Sequence, residues 1–597
     1  MDRRTMMINT ALVAALAATR ALCQGTDPSR VLNDLFDQFV KENLDLSPQS
    51  VTKLGLDTGT RAKQQSELDD ASEAGIERQK SLIASQLARL RSLDRASLSP
   101  ADSVSYDVVM YGLSTNNAAN KSFRYGTGGA GAPYVISQLN GGYRELPPFL
   151  DGQHRIETKA DADAYIARLA GLATVLDQEA EVARHDMALG VTPPDFVLTK
   201  TLTQMRALRA PSPEESSLTM SVARRTEEKK IPGVYAQQAS RIVKDHVYPA
   251  LERQMALVDE MQKRATHDAG MWKLPDGEAY YAASLVQWAT TSKRPSEIHQ
   301  LGLELVKEHT ARLDTLLRKL GMNQGTVGER VRAMYLDPHY QYANTEAAKE
   351  GLIADLNVRV KRVRAKLPKY FGAVPKADVE IRRVPKEIEA GAPVGYYENP
   401  SLDGKRPGLY WINLRDTTEQ PRWMLPTLTY HESIPGHHLQ LSIQQEANLP
   451  LIRKMSFYGA YAEGWALYAE ELSAEMGEYE DDPAGHIGQV HNSLFRAARL
   501  VVDTGIHSKR WTREQAIRYF VGVLGDPEAS SITEVERYCV WPGQACTYML
   551  GKLTFMAQRR RAQEMLGASF DIRKFHDAVL LPGAVPLELL EHIYSWG

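Results

Sequence analysis

The stretch from Thr429 to Gln440 reads Thr-Tyr-His-Glu-Ser-Ile-Pro-Gly-His-His-Leu-Gln. A neutral imidazole is a good zinc ligand, and a carboxylate beside an activated water is a good general base. His431, Glu432, His437 and His438 crowd four such groups into eight residues, flanked by apolar Leu425, Leu428, Ile434 and Leu439. A metal site fits this better than a hydrogen-bonded surface cluster. In the zinc-peptidase motif H-E-x-x-H the two histidines stand four apart and share one helix face. Here the pattern departs: position 435 is proline and His437 is six residues after His431. A regular helix of about 3.6 residues per turn would point these two side chains apart. A shared ion therefore requires the backbone to deform between them, and Pro435-Gly436 is where that can happen. His437 is the working second ligand, with His438 open as the alternative, and Glu432 is the expected base.

A third ligand is expected from the next helix, Tyr458 to Leu472, which carries Glu463 and Glu470. Packed antiparallel to the first helix, it brings Glu463 to the same ion, with Gly464 and Ala466 permitting close approach. Glu470 is displaced by two turns, about 10 Å along the axis. It is expected with Glu471 on a solvent-exposed acidic face. Arg499, Asp503 and His507 recur every fourth residue and share a helix face, either as a support network or at the substrate. The hydroxyl of Tyr538 or Tyr548 is expected to stabilise an oxyanion, with His507 assisting; the alternative for either tyrosine is a core residue with a satisfied hydroxyl. Residues Leu409 to Leu414 read as a strand. At a sheet edge it would hold an extended peptide by main-chain hydrogen bonds, with Tyr410, Trp411 and Asn413 as contacts. A packed hairpin is the alternative.

These groups need a scaffold. Met1 to Cys23 has the pattern of a signal peptide: Arg3 and Arg4, then apolar Ile8 to Ala18, then small residues at Ala21 and Cys23. The run is too short to span a membrane. Leu22 is a poor residue before a lipid-modified cysteine, so a soluble periplasmic or secreted protein is expected rather than one anchored through Cys23. Residues 24–597 are expected to form a single domain. Its 43% hydrophobic and 24% charged residues are ordinary for a globular protein. The formal charge of −3 includes no dominant basic patch, which disfavours nucleic acid as a partner. Cys539 and Cys546 are left to pair across Pro542-Gly543 or to stay as buried thiols.

Helical apolar spacing marks Arg30–Glu42, 71–93, 100–117, 160–189, 232–264 and most of 293–367. Residues 211–228 are polar, with Pro, Ser and Glu, and are expected to be a surface loop. The glycine-rich Gly126 to Pro133 lacks a following Gly-Lys-Ser/Thr, so it is expected as a flexible loop near a cleft rather than a phosphate cradle. Short β-branched or aromatic runs at 379–384, 391–397 and 408–414 predict a small sheet within a mainly α protein.

Four motifs in the same order resemble the bacterial family called domain of unknown function 885: His431 to Gln440, Glu463-Gly-Trp-Ala-Leu-Tyr468, Arg499 to His507, and Pro542 to Tyr548. That family in turn resembles the gluzincin-type metallopeptidases, including angiotensin-converting enzyme and the thimet-oligopeptidase group. The resemblance implies a large helical, zincin-like domain with a central cleft and a small sheet next to the metal-site helix. It implies one Zn2+ held by His431, His437 and Glu463, with Glu432 as base. The expected function is a zinc metallopeptidase acting on short peptides. The alternatives are hydrolysis of a non-peptide amide or ester, and a binding protein that keeps the fold without metal.

Overall fold

The computed structural model describes residues 27–386, 389, 393–400 and 406–593. The expected signal peptide and Cys23 lie outside these residues. The described chain is mainly helical, with one three-stranded sheet. No described helix is long and apolar enough to cross a membrane.

The predicted helices form with small shifts at their ends, as Pro28–Asp45, Glu73–Arg91, Pro100–Ser122 and Lys159–Ala188. Their starts follow local chemistry. Ser72, Ser99 and Thr158 each accept a hydrogen bond from a backbone N–H of the first turn, satisfying a donor that the helix itself leaves free. The expected loop at 211–228 is instead a short connection followed by a helix, Ser217–Glu228. Leu218, Ser221, Val222 and Thr226 are buried along it. The polar composition hid this narrow helical stripe. The glycine-rich loop is fastened rather than loose. Gly126 N–H donates to Asp186 at 2.9 Å and Gly129 N–H to Asn120 at 2.7 Å, while Ala130 N–H is held by Gln287. Those amides are already used and cannot cradle an anion.

The sheet comprises β1 (Val379–Arg383), β2 (Gly395–Glu398) and β3 (Gly408–Ile412) in the order β1-β3-β2. β3 pairs parallel with β1, Ile381 opposite Tyr410, and antiparallel with β2, Tyr397 opposite Tyr410. β3 is thus the central strand, correcting the expectation of a free edge. Both its rows of main-chain hydrogen-bonding groups are paired, so Tyr410, Trp411 and Asn413 cannot hold a peptide by strand addition on β3.

Five helices position the site. The His431 helix is Leu425–Glu432, the His437 helix His437–Glu446, the Glu463 helix Gly459–Glu475, the Arg496 helix Pro483–Ser508 and the Tyr548 helix Thr547–Leu566. The Glu463 helix buries apolar side chains around most of its circumference. Ala460, Tyr461, Trp465, Ala466, Leu467, Tyr468, Ala469 and Leu472 are fully buried, which makes it a central rod. It crosses the Tyr548 helix backbone to backbone. A Cβ at Gly464 would sit 2.3 Å from Gly551 Cα, and one at Gly551 would sit 2.0 Å from the Ala460 carbonyl oxygen. Gly464 therefore serves this crossing rather than the His431 helix. The Arg496 helix buries Leu494, Ala498 and Val502 in a cluster with Leu313, Leu317 and Phe520. Cys539 and Cys546 are buried free thiols. Their sulfurs face the Val535 carbonyl and Asp503 respectively, and burial pushes both thiols up.

Candidate metal centre

The chain solves the His431–His437 spacing by breaking the helix. The first helix ends at Glu432, residues Ser433 to Gly436 intervene with a cis Ile434–Pro435 bond, and a new helix starts at His437. The break is tight. A Cβ at Gly436 would lie 2.0 Å from the His431 carbonyl oxygen, so only glycine fits. Trp465 Nε1–H donates to the Pro435 carbonyl at 3.0 Å and ties the break to the Glu463 helix.

The result is one cluster. The nitrogen Nε2 of His431 and that of His437 each lie 3.3 Å from the same oxygen, Glu463 Oε2. Ligand atoms of the three residues all fall within 4.8 Å of one another. The two imidazoles stand at 90° with centroids 4.7 Å apart. Donors bound about 2.0–2.1 Å from a tetrahedral zinc are about 3.3 Å from each other, which is the distance of each histidine nitrogen from Glu463 Oε2. The hydrogen-bond pattern fits as well. His431 Nδ1 lies 2.7 Å from Glu470 Oε1 and donates to it. In the neutral ring this leaves an Nε2 lone pair facing a carboxylate oxygen, an arrangement that needs a proton or a cation between them. Without a metal the proton takes that place. Burial lowers the affinity of His431 for a proton, but Glu463 and Glu470 outweigh it and push the imidazole up to about 10. Burial likewise favours a neutral Glu463, yet the two histidines hold it well below the usual carboxylate range.

Glu470 corrects the sequence reading. It is fully buried, not on an exposed face, and also accepts two hydrogen bonds from Asn492 Nδ2 at 2.7 and 2.8 Å. The two-turn offset from Glu463 is real, and the imidazole spans it: Glu463 meets one ring nitrogen and Glu470 the other. Glu471 is also mostly buried, paired with Lys552 at 3.0 Å and Arg312 at 3.2 Å. His438 turns away. It accepts from the Tyr397 hydroxyl at 2.9 Å and donates to the Ala377 carbonyl at 3.0 Å, joining its helix to the sheet.

Glu432 is buried beside the cluster, and its carboxylate makes no hydrogen bond or ion pair among the described residues. Burial pushes it up, against the opposing pull of His437 and His431. A buried, unengaged carboxylate of raised basicity next to a set of residues that could hold a metal is suited to carry a proton. Tyr410 approaches Glu432 from β3, its buried hydroxyl also near Thr429.

The remaining expected residues divide. Tyr548 stands near Glu463, one turn before the Gly551 crossing. Burial and Glu463 raise its phenol, but Arg537, Arg499 and Arg496 outweigh them and leave it below its ordinary value. Tyr538 donates its hydroxyl to Glu534 at 2.9 Å instead of facing the cluster. His507 does not join either. Its Nδ1 accepts from Met271 N–H and its Nε2 donates to the Tyr538 carbonyl, both at 3.1 Å, leaving no nitrogen for an oxyanion. Asp503 accepts from the Tyr281 hydroxyl at 2.6 Å and from Gly543 N–H, so it belongs to a support network. Trp411 donates to Glu398 and Asn413 to the Glu389 carbonyl. A cavity of about 760 Å³ opens at the N-terminal end of the His431 helix, near Trp423, Arg359 and Glu478, and none of the expected site residues lines it.

The model of the family described as "Bacterial protein of unknown function (DUF885)" matches residues 48–593. The chain belongs to DUF885. Among solved structures, this DUF885 chain is similar to one described as the putative lipoprotein from Colwellia psychrerythraea. The two are 33% identical with a TM-score of 0.91, over 95% of this chain and 98% of that one. A second, described as a putative lipoprotein of unknown function from Shewanella oneidensis, has 17% identity and a TM-score of 0.73 over 94% and 99% of the chains, and so shares the fold. No curated protein matches.

Proposed function

We propose that this protein is an exported zinc-dependent hydrolase of amide bonds, most simply a peptidase acting on short peptides in a gluzincin-like manner. The observation that carries the reading is the convergence of His431, His437 and Glu463, each histidine nitrogen lying 3.3 Å from Glu463 Oε2, about the edge length of a tetrahedral zinc site, with unengaged Glu432 beside them. Zinc held there would polarise a scissile carbonyl and make water a better acid. Glu432 takes the proton of the attacking water and passes it to the leaving amine nitrogen. Glu470 fixes the His431 ring and tautomer through Nδ1. The Tyr548 hydroxyl, close to Glu463, donates to the oxygen that gains charge. The expected cleft would lie over this face of the Glu463 helix.

The substrate reading extends to non-peptide amides and esters, whose carbonyl chemistry makes the same demands. A metal-free binding role has one observation in its favour: a cationic His431 bridging Glu463 and Glu470 would hold the His431 and Glu463 helices together without an ion. For location, the signal-like Met1–Cys23 supports export, and the lipoprotein descriptions of the two similar structures support attachment through Cys23 as the variant of that reading.

The test is Glu432→Gln. A general base contributes a factor on the order of 10² to 10⁴ in rate. The variant is expected to retain zinc and lose most cleavage in a peptide-library screen. Full activity of the variant on any cleaved substrate would refute the mechanism.

A further inference from the structure

The Arg496 helix carries Asn492, Arg496 and Arg499 along one stripe, at intervals of four and three. Asn492 reaches the metal cluster through Glu470. One turn on, the Arg496 guanidinium lies 4.5 Å from the centre of the Tyr548 ring, and that of Arg499 lies 4.6 Å from the same ring. From the helix Glu528–Tyr538, Arg537 Nη2 comes within 3.4 Å of the Tyr548 hydroxyl. Three guanidiniums thus converge on a residue that stands next to Glu463.

Their hydrogen bonds and ion pairs are few. Among the described residues, Glu534 is the carboxylate that pairs with them, taking Arg499 Nη2 at 2.6 Å and Arg537 Nη1 at 3.5 Å. The same carboxylate accepts the Tyr538 hydroxyl. Arg496 makes no hydrogen bond or ion pair among the described residues, only its contacts with the rings of Tyr548 and Phe495. Four buried donor nitrogens lack an acceptor: Nε of Arg496, Nε and Nη1 of Arg499, and Nε of Arg537. The Arg499 side chain is only 3% exposed. Buried charged donors left without acceptors are costly and rare in folded proteins. The facing carboxylates Glu432, Glu463 and Glu470 belong to the histidine cluster and bond to none of the three guanidiniums. The three guanidiniums therefore share one ion-paired carboxylate, with the carboxylates of the cluster attracting Arg496 without bonding to it, and present an array of free N–H groups. Arg496 and Arg537 are both partly exposed, and of the two Arg496 is the one without an ion pair among the described residues. The planar guanidinium fork matches a carboxylate in two parallel hydrogen bonds.

We propose that Arg496 and Arg499, backed by Arg537 and Tyr548, bind a free carboxylate of the substrate, so that the bond cleaved lies close to a free carboxyl group, as at the C-terminal end of a peptide. This deepens the hydrolase reading of the adjoining cluster and rests on it for the bond-breaking step, whereas the binding step is measurable alone.

The experiment is binding calorimetry on the full-length, metal-free protein with two probes that differ only in charge, N-acetylphenylalanine and its primary amide. Removing the metal prevents the carboxylate from simply ligating zinc. Charge-assisted hydrogen bonds of this kind discriminate by about tenfold or more, so the acid is expected to bind at least that much tighter than the amide. Arg496→Gln is expected to abolish the difference, and Arg496→Lys, which keeps the charge but loses the fork, to restore part of it. Equal binding of acid and amide, no binding of the acid, or discrimination that survives Arg496→Gln would overturn the proposal. If Glu432→Gln leaves hydrolysis intact while the acid still binds through Arg496, the mechanism fails and the carboxylate subsite stands.

Discussion

Glu470→Gln is the most informative single substitution, because it changes one oxygen in a site where every partner is known. Glu470 is fully buried, receives His431 Nδ1–H at 2.7 Å, and receives Asn492 Nδ2 on both oxygens at 2.7 and 2.8 Å. Glutamine has the same shape but one acceptor instead of two. Its NH2 group must face either His431 Nδ1 or Asn492 Nδ2, both of which donate, so one hydrogen bond is replaced by a donor–donor clash. If His431 loses its acceptor, the ring is no longer held with Nε2 as the lone-pair nitrogen toward Glu463. Losing such an outer partner typically costs 10- to 100-fold in metal affinity, about 1.4–2.7 kcal/mol. The assay is competition with a chelator of known zinc affinity, run beside a melting curve to show that the variant is folded. A folded Glu470→Gln protein whose zinc affinity stays within twofold of the parent would refute the view that Glu470 orients His431.

Glu463→Gln removes an anionic donor, and its zinc occupancy after dialysis is expected to fall below that of Glu470→Gln. His437→Ala is expected to release zinc, whereas His438→Ala should keep it and lower the melting temperature, since it unpairs the Tyr397 hydroxyl and the Ala377 carbonyl. Gly464→Ala forces a methyl group against the Gly551 backbone and is expected to destabilise the protein by about 1–3 kcal/mol in denaturant titrations; a neutral result would contradict the close crossing. Burial raises Asp503 to about 7, against hydrogen bonds from Tyr281 and Gly543. A carboxyl with a folded value above its unfolded one stabilises most at low pH, and that contribution is lost as pH rises toward and through about 7. Relative to the parent, Asp503→Asn should therefore show a flatter dependence of stability on pH between 4 and 8, and an unchanged profile would count against this burial effect.

Much of the centre was legible in the sequence because its residue types are chemically specific and close together. His431, Glu432, His437 and the break at Pro435-Gly436 lie within one short stretch, and Glu463 lies on the next long helix. Glu470 was misread because axial rise alone suggested too great a distance, while the imidazole it serves bridges that distance with two nitrogens. Arg496 and Arg537 were passed over because arginine on a helix usually means a solvated face. Only tertiary packing brings their helices together over Tyr548. The edge assignment of β3 failed for a related reason: local pattern identifies a strand, but the parallel partner β1 is a separate segment, and strand order is a property of the assembled sheet. His507 and Tyr538 carry the right functional groups and are spent on backbone and on Glu534.

Zinc titration of the metal-free protein tests the central claim most directly. One ion per chain is expected in the parent and in Glu432→Gln, and tight binding is expected to disappear in His431→Ala, His437→Ala and Glu463→Gln. Absence of stoichiometric binding by the folded parent, or binding that survives the loss of His437, would contradict a metal centre at these three residues.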